Sequence, residues 1–216
     1  MEWAEKFKQD FQQIGDYFNT NHVRVVNMSW GDDVGEFEQW LSKTSSEKDP
    51  AVRKQQAQAV FKIWREAIEN AIRSAPNTLF VCAAGNSNSN AEFLGDAPAS
   101  LHLPNLIAVG AVDQAGEETS FTSYGDTVVV DADGYEVESY VPGGTKLRLS
   151  GTSMASPNVV NLAAKLIALD PSLTPQQTIA LIEKGADKSA DGRRNLINPK
   201  ATVALLKQQR AGSASH

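Results

Sequence analysis

The pattern of this chain predicts an α/β fold with a mostly parallel sheet. Three β-branched, apolar runs, at 23–30, 78–84 and 106–112, read as buried strands. Segments of helical period separate the first two, which suits crossover connections between parallel strands. A long apolar stretch, Pro157–Leu169, reads as a helix buried on most of its faces.

The elements follow in order. Trp3, Phe7, Phe11, Ile14 and Phe18 recur at spacings of four and three, one apolar stripe on a first helix that Asn19-Thr20-Asn21 ends. Val23 to Trp30 is the first strand, and Gly31-Asp32-Asp33 turns away from it. A short helix is expected at 36–41. A long one starts at Asp49-Pro50, where a cap precedes a first-turn proline, and Ser74-Ala75-Pro76-Asn77 closes it. Its apolar positions include Val52, Ala59, Val60, Ile63, Ala67, Ile68 and Ile72. The second strand leads into the Asn/Ser-rich loop 85–90. After the third strand, segments 127–131 and 135–140 alternate like a hairpin around Asp133-Gly134. Thr174-Pro175 opens a helix to Gly185, and a last helix covers 199–209.

Composition narrows the class of protein. The 216 residues, 41% hydrophobic and 21% charged, suffice for one packed domain and do not resemble a disordered chain. A net charge of −6 without a basic stripe argues against a nucleic-acid surface. No apolar run has membrane-spanning length, and the acidic, amphipathic start is not a secretory signal, so localisation stays open. The lone Cys82 excludes an intrachain disulfide; it reads as a buried small hydrophobe, with a reactive thiol as the alternative. One domain is expected over 1–210, with a frayed tail at 211–216.

The chemistry concentrates in Gly151-Thr152-Ser153-Met154-Ala155-Ser156-Pro157. A small, flexible run enters a helix there, so a hydroxyl stands where free N–H groups and the helix dipole favour developing negative charge. This run resembles the nucleophile motif of subtilisin-like serine proteases, the subtilases. Val25 to Gly31 is similar to their substrate-binding strand. Ala83-Ala84-Gly85-Asn86 resembles their oxyanion loop, 104–112 the strand that follows, and Asn195-Leu196-Ile197-Asn198 a segment near their domain end. The segments agree in order and approximate spacing across residues 22–205.

The resemblance implies a three-layer subtilisin-like arrangement, truncated at its N-terminal side, and a serine endopeptidase lineage. It implies roles: Ser153 as nucleophile, Asn86 and the Ser153 N–H as oxyanion donors, and Ser29, Trp30 and Gly31 pairing with the peptide. Ala83, Ala84 and Gly85 would form the opposite wall of the first specificity pocket. By itself, Asn86 also reads as a turn residue. No metal ligands and no cofactor stand out; calcium is implied by the resemblance alone.

The family's Asp and His motifs, which precede the serine in chain order, are not found in this sequence. Of the histidines His22, His102 and His216, none has the context of the general base, and Asp32 and Asp33 come too late to be the acid. Two further departures are Pro157-Asn158-Val159-Val160-Asn161, where Asn161 stands for a close-packing small residue, and Ala132-Asp133-Gly134 for Ala-Pro-Gly. The chain alone is therefore expected to be catalytically incompetent. Alternatives are one half of a complemented protease, taking a peptide substrate once completed, or a non-enzymatic scaffold. Strand 23–28 would have a bare edge, and it or the first helix would mediate homo-oligomerisation.

Overall fold

The computed structural model describes residues 2–213. His216 and the side chain of Trp3 lie outside the described residues. Seven helices and eight strands are present among them: α1 (Glu2–Thr20), β1 (Val25–Met28), α2 (Val34–Thr44), α3 (Pro50–Ser74), β2 (Leu79–Ala83), α4 (Ala91–Leu94), β3 (Leu106–Val112), β4 (Val128–Asp133), β5 (Val137–Tyr140), β6 (Lys146–Leu149), α5 (Thr152–Leu169), α6 (Pro175–Gly185), β7 (Asp187–Lys188), β8 (Asn195–Leu196) and α7 (Pro199–Ser213).

The main sheet runs β1-β2-β3-β4-β8-β7, with β1 at one edge. Its ladders are parallel from β1 through β8, and only the terminal β7–β8 pair is antiparallel. Side-chain alternation along β2 sets the layers. Leu79 and Val81 face a core built with Val159, Leu162 and Leu166 of α5 and Ile182 of α6. Phe80 and Cys82 face a second core with Phe61, Trp64, Ile68 and Ile72 of α3. Because β2 is covered on both faces, every residue in it is buried. Cys82 is accordingly inert: burial pushes its thiol far up from its ordinary value.

Helix starts follow local chemistry. Asp49 caps α3, accepting from Ala51 N, with Pro50 at the first position. Thr174 and Gln177 form a reciprocal capping box on α6, as do Asp33 and Glu36 on α2. At the other end of α3, the buried Asn105 amide donates to the carbonyls of Ile72, Ala75 and Thr78 and so ties down the turn that leads from the helix into β2.

Several expectations are corrected. The α3 stripe uses Ala57, Phe61 and Trp64 ahead of Ala67, Ile68 and Ile72, while Ala59 is exposed and Val60 and Ile63 are half-buried. The larger aromatic surfaces decide the register. In α1, Phe7, Phe11 and Phe18 pack inward, but Ile14 is 41% exposed. Gly15 meets α3 in its place, so closely that a Cβ there would lie 2.2 Å from Ser74 Oγ. The segment 127–131 makes no hairpin with 135–140: β4 pairs parallel with β3 and β8, and the hairpin is β5–β6. Finally, α5 is buried on one side only, and Asn161 sits on its exposed side, where an amide is solvated. Of the segment read as a tail, Ala211 to Ser213 continue α7, and 214–216 lie outside the described residues.

Candidate active site

The C-terminal ends of β1 and β2 meet the N-terminus of α5, and a cleft of about 230 Å³ opens there. Trp30, Gly31, Ala83, Gly85, Asn86 and Ser153 all line it. Ala84 does not; it is fully buried, its N–H bonded to Val109 O.

Ser153 is half-buried in the first turn of α5. Its Oγ donates to the Ser29 carbonyl at 3.1 Å, and Ser29 Oγ donates back to the Ser153 carbonyl at 2.7 Å. The second bond has a sequence cause. Pro157, inside α5, has no N–H to give the carbonyl four residues before it, so the Ser153 carbonyl is left for Ser29. The clamp extends inward: Asn27 Nδ2 donates to Ser29 Oγ, and Ser156 Oγ donates to Asn27 Oδ1 at 2.8 Å.

Asn86 is oriented by Thr152. Its Oδ1 accepts from Thr152 N at 2.9 Å and from Thr152 Oγ1 at 3.1 Å, while Thr152 Oγ1 accepts from Gly85 N. With its oxygen so held, Asn86 stands as an exposed residue on the cleft wall. Gly85 makes this possible with φ +104, a conformation that side-chain-bearing residues rarely adopt. Thr152 is the positioning residue that sequence reasoning missed; it sits inside the Gly151–Pro157 run, but only the fold brings it against Asn86.

The opposite wall is free to pair. Among the described residues, neither Trp30 nor Gly31 has a backbone–backbone hydrogen-bond partner, whereas the next residue, Asp32, exchanges two with Ala97. That bridge carries Asp96 to the back of the cleft. Asp96, Asp33 and Glu36 also line the cavity; in the sequence Asp33 enters only as a triad acid ruled out by its order, and the other two have no assigned part in the site. Burial, followed by the charges of Asp33, Glu36 and Asp32, pushes the Asp96 carboxyl up to about 7. Burial, with Asp32 and Asp33 nearby, also raises Glu36.

A linkage follows from Asp96. Between its ordinary value of 3.8 and about 7 the folded protein binds a proton there that the unfolded chain releases, so stability falls as pH rises through that window. Asp96→Asn, neutral at every pH, is expected to flatten the decline in thermal melts taken from pH 5 to pH 8. Parallel slopes for the two proteins would rule Asp96 out as its source.

The histidines are elsewhere. His22 occupies a left-handed turn (φ 51) after α1, and His102 is exposed in the loop before β3; neither lines the cleft.

With this geometry in view, similarity to known proteins is direct. The subtilase family (Peptidase S8) matches residues 2–201, and the chain belongs to that family. Among curated relatives, a thermophilic serine proteinase from Bacillus sp. (strain AK1) is 46% identical over 101 residues, which are 46% of this chain and 24% of the relative. Subtilisin from Bacillus pumilus is 34% identical over 167 residues, 77% of this chain and 50% of the relative. The chain thus spans between a quarter and a half of these enzymes. Among solved structures, a cold-adapted subtilisin-like serine proteinase superposes with TM-score 0.59 at 28% identity, covering 80% of this chain and 53% of that one. The self-cleaved protease domain of PatA gives TM-score 0.67 at 26% identity, covering 93% and 68%. The α/β architecture with its mostly parallel sheet is therefore subtilisin-like.

Proposed function

We propose that this chain carries the nucleophile, oxyanion donors and substrate walls of a serine endopeptidase, and that it hydrolyses peptide bonds only when an acid–base pair from another segment reaches Ser153. The observation that carries this reading is the juxtaposition of Ser153, at the head of α5, with an Asn86 amide fixed by Thr152.

The chemistry is as follows. Ser153 Oγ attacks the scissile carbonyl carbon as its proton passes to the supplied histidine. The carbonyl oxygen, now anionic, takes hydrogen bonds from Asn86 Nδ2 and the Ser153 N–H at the positive end of α5. The histidine returns the proton to the leaving amine, and water hydrolyses the acyl-serine by the same path. In the chain alone, the Ser153 hydroxyl donates to the Ser29 carbonyl, which is not a base, so the nucleophile stays protonated. The test is peptide hydrolysis and fluorophosphonate labelling of Ser153, with and without a polypeptide bearing the family's Asp and His regions.

A second reading, that the chain associates through β1, is favoured by that strand's place at the sheet edge, where it bonds to β2 alone. Light scattering at high concentration should then report a dimer or larger species, in wild type and Ser153→Ala alike. A monodisperse monomer overturns association.

A further inference from the structure

The cleft beside Ser153 is lined by Asp33, Glu36 and Asp96 and, among the described residues, by no lysine, arginine or histidine. None of these three, nor the neighbouring Asp32, takes part in any ion pair found among the described residues. The α2 N-terminus offsets part of the charge of Asp33 and Glu36, which cap it, but no cationic side chain among the described residues faces the cluster.

The position of Asp96 makes that charge specific. A Cβ built on Gly31 would lie 3.0 Å from Asp96 Oδ1, and one built on Gly85 would lie 2.7 Å from Oδ2. The carboxyl thus spans the gap between the two glycine walls, where a side chain entering from the scissile residue would end. Its Oδ1 is shielded from solvent and has no hydrogen-bond partner. A carboxylate so placed costs free energy unless a donor or cation meets it.

We propose that this pocket selects a basic side chain, arginine or lysine, on the residue whose carbonyl Ser153 attacks. The proposal rests on the peptidase reading above and adds a substrate class to it. The stem would run along the cleft wall of Trp30 and Ala83, and the cationic head would meet the Asp96 carboxyl where it spans Gly31 and Gly85, with Glu36 and Asp33 on the same cavity. Trp30, 41% exposed, lines the same wall and adds apolar surface for the stem. An organic cation suits the site better than a metal ion: among the described residues no three His, Cys, Asp or Glu side chains are grouped as metal ligands.

The test uses the chain as it is and needs no turnover. Binding of two product-like tetrapeptides, identical but for a C-terminal arginine or its neutral isostere citrulline, is measured by calorimetry at pH 8. The arginine peptide is expected to bind at least about tenfold tighter, with the preference shrinking as salt is added. Asp96→Asn should erase most of the preference. Glu36→Gln, a change on the first turn of α2, should reduce it in part and serves if Asp96→Asn fails to fold. Equal binding of both peptides, or an unchanged preference in the folded Asp96→Asn protein, overturns the basic specificity and leaves the peptidase reading in place. If neither peptide binds, the peptidase reading and the specificity that rests on it both fail.

Discussion

Peptide hydrolysis by the chain alone should be no faster than by its Ser153→Ala variant, and adding the Asp- and His-bearing segment should raise only the wild type. The expected gain is about 10⁶-fold, the size of the loss seen in subtilisin when the serine or the histidine is removed. What the isolated chain keeps is worth less: oxyanion donors and binding alone leave about 10³–10⁴ over water in that enzyme. Ser153 Oγ is bonded to the Ser29 carbonyl at 3.1 Å, and no histidine among the described residues lines its cleft. Fluorophosphonate labelling should therefore be slow for the chain alone and fast for the mixture. Rapid labelling of Ser153 in the chain alone would show that a base is already present and would end the complementation reading.

In the complemented enzyme, Asn86→Ala should lower kcat by about 10²–10³ with little change in KM, because the oxyanion exists only after attack has begun. This is the magnitude seen on removing such a donor from subtilisin. Thr152→Val should act in the same direction but more weakly. The amide survives, while the Thr152 Oγ1 bond that orients it at 3.1 Å and the acceptor for Gly85 N are both lost. A kcat within about threefold of wild type for folded Asn86→Ala would remove Asn86 from the oxyanion role.

Much of this architecture was legible because its signals are local. The boundaries of β3 and α6 follow from a β-branched run and from Thr174-Pro175, and the Gly151–Pro157 run placed the head of α5. What was not legible depended on partners. Alternation identified 127–131 as a strand but carried no information on which strand lies beside it, and Asp133-Gly134, which includes the last residue of β4, looked like a hairpin turn. In fact the Gly134 N–H bonds to Val112 O, continuing past the β3–β4 ladder. Asp96 shows the same limit for the site. In Gly95-Asp96-Ala97-Pro98 it reads as a turn residue. Only the bridge between Asp32 and Ala97 carries it behind Gly31 and Gly85. Thr152 was passed over beside its better-known neighbour because its role exists only once the 85–86 loop arrives.

The reciprocal bonds between Ser29 and Ser153 join residues separated by 124 positions. Contacts of such long sequence separation are closed late and slowly, since the intervening chain must be ordered before they reward it. β1, β2 and α5 must all be docked before the serine is held, so no early or partly folded species can present it. Whatever reads out the fixed Ser153 hydroxyl also reads out completion of the fold, and the refolding rate of this chain is a ceiling on how fast the half-site can be made.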